Sequence, residues 1–168
     1  MTARQFSDTN DFDAFLLRVG KLNYAWTNTE SLLIHLIAGL AKVDLETATV
    51  IFMTLNTTRA RFDLVQRLSK RERMDQSERS QLISLTTRLQ KIGHMRNRYN
   101  HCIYAFDDNS AVTHTILMRI ADRKDAIKMG QVEQIDSDTR QVIDAAINDL
   151  AQLNRDIWQF LHANDYPR

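Results

Sequence analysis

Helix breakers are almost missing from this chain, whose one proline is Pro167 and whose glycines number 4 in 168 residues, so its long segments must be helical unless the apolar period itself changes. From a cap region at Ser7/Asp8, apolar residues at helical spacing (Phe12, Phe15, Leu16, Val19, Leu22, Trp26, Leu33, Ile34, Ile37, Leu40) predict one helix running to about Lys42. Asp44 reads as the next N-cap, before Ala48, Ile51, Phe52 and Leu55. Asn56-Thr57-Thr58 offers a break and a new cap ahead of Phe62, Val65 and Leu68. The charged run around residues 71 to 76 has no apolar period and is expected to be a loop, and Ser77 begins the next helix.

Between Ala111 and about Ile135 the period becomes two. Val112, His114, Ile116, Met118 and Ile120 alternate with Thr113, Thr115, Leu117 and Arg119, as in a half-buried strand. Ile127, Met129 and Val132 suggest the returning strand, with Ala121-Asp122-Arg123-Lys124-Asp125 as the turn and Gly130 as a bulge. Asp136 or Ser137 then caps a last helix marked by Ile143, Ile147, Leu150, Leu153, Ile157, Phe160 and Leu161. The expected fold is all-α: a single domain over residues 1–168, built as a bundle of four to five helices with a β-hairpin insertion at about 111–135, before the last helix.

Charge excludes one class of partner. The formal net charge is +1, from 22 basic and 21 acidic side chains, so no global field holds long nucleic acid non-specifically. The local group Arg59, Arg61, Arg67, Lys70, Arg71 and Arg73 reads as solvated helix faces. A lone cysteine, Cys102, gives neither a disulfide framework nor a zinc pattern, and the first residues carry no signal segment, which points to the cytoplasm. The most apolar window, Leu32 to Ala41, contains His35 and falls short of a membrane span of about 20 residues, so no membrane role is expected. No metal and no cofactor are expected either, because no His, Cys, Asp or Glu cluster has ligand spacing; Asp107-Asp108 before Asn109 reads as a helix end.

The chemically distinctive stretch is Arg96-Asn97-Arg98-Tyr99-Asn100-His101. On a helix, Leu85, Leu89, Ile92, Met95, Tyr99, Ile103 and Phe106 share the docking face, while His94, Asn97, His101 and Tyr104 form a stripe of hydrogen-bonding groups. Arg96 lies about 140° around from His101, so its guanidinium has to swing across on its stem or be turned by another residue. Glu30, a carboxylate in an apolar stripe, either lies at the stripe's wet edge or is met by an internal cation, for which Arg96 is the expected partner. By this geometry Arg98 and Asn100 fall outside the site. Arg88 also precedes a histidine, His94, but apolar Leu89 follows it and nothing polar supports it.

Arg96-Asn97, three residues and then His101, on a late helix of an all-helical chain, resembles the HEPN superfamily. The resemblance covers about residues 8 to 163 in architecture and three positions in detail; the hairpin is not part of the family's common core. It implies a helical bundle that forms a homodimer, with two motifs facing one cleft, and a metal-independent endoribonuclease. Arg96, Asn97 and His101 would then be catalytic. His101 would exchange protons with the RNA, Arg96 would stabilise phosphorane charge and Asn97 would hold the imidazole or a phosphate oxygen. Glu30, His94 and Tyr104 would bind substrate or support those groups. A cognate antitoxin or regulatory protein is a further implied partner. In one toxin branch a Tyr two residues after the His is modified by the antitoxin; here Ile103 takes that place and Tyr104 comes one later, so that pairing is not expected. The alternative is a non-catalytic HEPN-like dimer that binds RNA, nucleotide or protein.

Overall fold

The computed structural model describes residues 9–71, 74–106, 112–123 and 125–168. Among them the chain is mostly helical, with α1 (Thr9–Glu30), α2 (Leu33–Ala41), α3 (Leu45–Thr54), α4 (Thr58–Leu68), α5 (Gln76–Asn100) and α6 (Ser137–Ala163). A small antiparallel sheet in the order β1-β2-β3 is formed by β1 (Cys102–Phe106), β2 (Val112–Arg123) and β3 (Ala126–Gln134). No helix of the described residues is long and apolar enough to cross a membrane. The expected cap at Ser7/Asp8, the helix end at Asp107-Asp108, Arg73 and Lys124 lie outside the described residues.

Local chemistry accounts for the helix starts. Asp44 Oδ1 accepts from the Thr47 amide at 2.7 Å and Thr57 Oγ1 from the Ala60 amide at 3.1 Å, each satisfying a donor that the first helical turn leaves open. Asp136 Oδ1 does the same for Thr139 at 2.8 Å. These contacts favour the ionised side chains, and the Thr47 and Thr139 bonds hold Asp44 and Asp136 below the usual carboxylate range. The helix expected to reach Lys42 is interrupted instead. At Ser31-Leu32 the backbone tightens, with Leu32 N–H donating to Thr29 O at 3.2 Å, and α2 ends on Lys42 in the left-handed region (φ 59), where Val43 N–H reaches Ala38 O at 3.1 Å.

Contacts divide the chain into two compact units, Met1–Tyr24 with His94–Ile147 and Ala25–Gly93 with Asn148–Arg168. The second has a core of Trp26, Leu33, Leu36, Ile37, Phe62, Val65, Leu82, Leu89, Leu150, Leu153 and Ile157. Glu30 is buried here, and its partner is Arg61 rather than Arg96: Arg61 Nη1 donates to Glu30 Oε1 at 3.2 Å. The same guanidinium lies over the Phe52 ring at 4.0 Å, and its Nε donates to the carbonyls of Phe52 and Leu55 at 3.2 and 3.1 Å, closing the end of α3. A buried carboxylate needs a cation that approaches it with little freedom to leave, and Arg61 is fixed on three sides. Arg59, Arg67, Lys70 and Arg71 are exposed, as solvated helix faces require.

The first unit holds the sheet. The expected hairpin is present, but it has a third strand: the segment after Asn100, expected to continue the helix to Phe106, turns at His101 and becomes β1. Cys102 pairs with Leu117, Ile103 with Ile116 and Tyr104 with Thr115. On β1, Tyr104 and Phe106 meet the edge of Phe12, with ring centroids 5.6 and 5.3 Å away, and Phe15 meets both Tyr99 and Tyr104 at 6.0 and 5.9 Å. Burying aromatic edges of α1 against one face of a strand is what the alternation Cys102, Tyr104, Phe106 achieves and a helix would not. On the other side of β2 the strands reach to Arg123 and Ala126, so the turn is shorter than expected. Leu117 pairs with Gln131 and Ile120 with Met129, which leaves two residues of β2 opposite Gly130 alone; the glycine takes φ 71 across from this bulge.

Candidate functional site

The C-terminal turns of α5 carry the candidate residues, all within the first unit. Arg96 is half-buried and is bound by three carboxamides. Its Nε donates to Asn23 Oδ1 of α1 at 2.8 Å, and its Nη1 to Asn97 Oδ1 at 3.0 Å. Asn23 and Asn100 pair amide to amide, at 2.7 Å from Asn23 Nδ2 and 2.8 Å from Asn100 Nδ2. With the Asn100 amide turned over, this mutual pair is replaced: its nitrogen donates to Asn23 Oδ1 at 3.1 Å and its oxygen accepts from Arg96 Nε and Nη2 at 2.9 and 3.2 Å, the arrangement that puts an acceptor rather than a donor against the guanidinium. Asn23 is itself anchored one helical turn back, its Nδ2 donating to Val19 O at 3.1 Å.

No carboxylate of the described residues forms an ion pair with Arg96. Its neighbour Arg98 behaves differently, with Nη2 2.6 Å from Glu133 Oε2 on β3. Arg98 therefore fastens the sheet to the end of α5, while Arg96 stays cationic among neutral partners. The expectation that Glu30 turns Arg96 is replaced by Asn23 in that role, and Asn100, expected outside the site, is part of it. Asn100 sits four residues after Arg96, so the helical period alone makes them neighbours. Asn23 carries a weaker signal: a carboxamide between buried Leu22 and Trp26 on α1.

His101 is exposed in the turn that ends α5, its amide reaching back to Arg98 O at 3.3 Å. His94 and Asn97 are exposed on the last turns of the helix, as the expected stripe requires. Tyr104 leaves that stripe. It lies on β1, packed on Phe12 and Phe15, and its hydroxyl donates to Tyr99 O at 3.3 Å. Cys102 Sγ donates to the same carbonyl at 3.3 Å, so both side chains satisfy the open C-terminal end of α5. Burial pushes the Tyr104 phenol far above its ordinary range and raises the Cys102 thiol as well, which leaves both protonated and unreactive near neutral pH.

Among the described residues no group of three or more His, Cys, Asp or Glu could hold a metal ion. No family model, curated protein or solved structure matches the chain. What the arrangement can do chemically follows from its own groups: a fixed, uncompensated guanidinium suited to a phosphate or another oxyanion, on the helix whose end carries an exposed imidazole.

Proposed function

We propose that this chain is a metal-independent endoribonuclease of the HEPN type that acts as a homodimer. The observation that carries the reading is Arg96, held in place by Asn23, Asn97 and Asn100 without any carboxylate of the described residues to neutralise it, on the helix whose end presents His101 to solvent. In this reading a phosphodiester of RNA binds against the guanidinium. His101 of one copy takes the proton of the ribose 2′-hydroxyl, the 2′-oxygen bonds to phosphorus, and the bond from phosphorus to the 5′-oxygen breaks. That oxygen receives a proton from His101 of a second copy, leaving a 2′,3′-cyclic phosphate and a 5′-hydroxyl. Arg96 stabilises the charge gathered on the phosphorane. A toxin–antitoxin, defence or RNA-processing setting would suit such an activity.

The exposure of His101 favours a second reading, a non-catalytic HEPN-like dimer that binds RNA, nucleotide or a partner protein through the Arg96 site. One assay separates the two. Incubated with mixed RNA and a chelator, the protein is expected to cleave, and His101→Ala and Arg96→Ala each to slow cleavage by about 100-fold or more. RNA left intact by a dimer that still binds it would leave only the second reading standing.

A further inference from the structure

We infer that Asn23 and Asn100 are positioning residues that fix the Arg96 guanidinium for a phosphodiester while preserving its full charge. The inference rests on the proposed site and assigns a task to two residues of this chain outside the Arg-Asn-His motif. Its ground is the chemical identity of the clamp. Other arginines meet a carboxylate, Arg61 on Glu30, Arg98 on Glu133, Arg88 on Asp156 and Arg18 on Asp144, while Arg79 donates to the Ser69 carbonyl and Arg155 to Gln152 Oε1, one acceptor each; Arg96 alone among these is met by several carboxamides. A carboxylate binds guanidinium more strongly than a carboxamide does, because the bond is charge-assisted on both sides. Yet the acceptors around Arg96 are amides from three separate positions, and one of these, Asn100, also donates to another, Asn23.

The amide pair explains the geometry. Asn23 Oδ1 also accepts from the Asn100 amide nitrogen at 3.1 Å, and Asn23 Nδ2 is tied to Val19 O, so the acceptor facing Arg96 Nε cannot rotate away without breaking contacts on both helices. Asn97 receives Nη1 from the same helix as Arg96. The guanidinium is thus held through Nε and one donor on each Nη, which leaves one N–H on each Nη for an anion. An unpaired arginine without such a clamp would lose side-chain entropy on each binding event, and a carboxylate clamp would cancel the attraction.

The test uses a 2′-O-methyl RNA oligonucleotide, which can bind but cannot be cleaved through its 2′-oxygen, so that affinity is read apart from catalysis. Binding is followed by fluorescence anisotropy over a range of salt concentrations, with thermal melting as a control of folding. Asn23→Asp and Asn100→Asp each place a carboxylate on Arg96. Both are expected to weaken binding about tenfold and to flatten the slope of log Kd against log salt by about 0.7, the loss of one phosphate contact to a single strand. Asn23→Ala is expected to weaken binding while leaving the slope unchanged, since the charge survives and only its placement is lost. The second carboxylate variant sits at an exposed position, so the test stands even if Asn23→Asp folds poorly. Wild-type affinity and slope in a folded Asn100→Asp variant, with Arg96→Ala still weakened, would overturn the clamp but leave the site intact. If Arg96→Ala also binds as wild type, or the wild-type protein does not bind, the clamp and the site at Arg96 both fall.

Discussion

Arg61 and Arg96 are both withdrawn from solvent and both hydrogen-bonded on several sides, but their partners differ in charge. Arg61 meets a buried carboxylate, a ring face and two carbonyls, and all of these belong to the second unit's own packing. Arg96 meets only carboxamides in the described part of the first unit. The difference separates an arginine that completes a core from one whose charge remains for something outside the chain. Removing the first should therefore cost much more stability than removing the second, whose main effect should fall on what the chain binds.

The largest effect is expected at Arg61. Arg61→Ala leaves the Glu30 carboxylate buried without its cation and opens two carbonyls at the end of α3, a loss of about 3–5 kcal/mol. A urea titration at neutral pH measures it. Replacing both members together, Glu30→Leu with Arg61→Met, should recover most of that loss, because the penalty comes from the stranded charge and not from the absence of an ion pair. A double variant as unstable as Arg61→Ala would show that packing around Phe52, rather than charge, sets the cost.

How far these two sites could be read in the sequence depends on how local their causes are. The caps at Asp44, Thr57 and Asp136 act within three residues and were legible as such. That Glu30 falls in an apolar stripe was legible, with a cation as one of two readings beside a place at the stripe's wet edge; that it is buried and that Arg61 meets it were not, because both depend on how α4 returns to the end of α1. The end of α5 was misread for a different reason. Ile103 and Phe106 fit a helical face that includes Tyr99, and Cys102, Tyr104 and Phe106 equally fit one face of a strand. Pairing with β2 and the aromatic edges of Phe12 and Phe15, all farther along or back in the sequence, favour the strand. With the helix ended at Asn100, Tyr104 packs half-buried on Phe12 and Phe15, and the residue that takes its place at the site is Asn23, which α1 brings to Arg96 from 73 positions away.

An effect of intermediate size should come from Arg96 itself. Arg96→Ala removes hydrogen bonds to Asn23 and Asn97, but Asn97 and Asn100 are exposed and can turn to water. The expected loss is about 1 kcal/mol, near the ordinary value for a hydrogen bond whose partners find other donors. A midpoint in urea shifted as far as that of Arg61→Ala would make Arg96 a structural residue like its counterpart and remove the contrast on which the proposed site depends.

The smallest effect is expected where an arginine has a carboxylate but little burial. Arg88 Nη1 lies 2.8 Å from Asp156 Oδ2, with the arginine side chain 46% and the aspartate 25% exposed, so solvent screens the pair and it should contribute less than about 1 kcal/mol. The hydrogen bond from Gln152, followed by that from Arg88, holds the Asp156 carboxyl below its usual range. A folded-state pKa below the unfolded one means the contribution is fully present above about pH 4, and it is lost as the pH falls through the folded value. Asp156→Asn should thus lower the urea midpoint slightly at pH 7, and the gap to wild type should close as the pH falls through the folded-state value. If the gap persists unchanged in acid, the contribution of Asp156 is packing or neutral hydrogen bonding rather than charge. Arg88 would then join Arg61 as a structural residue for a reason other than its ion pair.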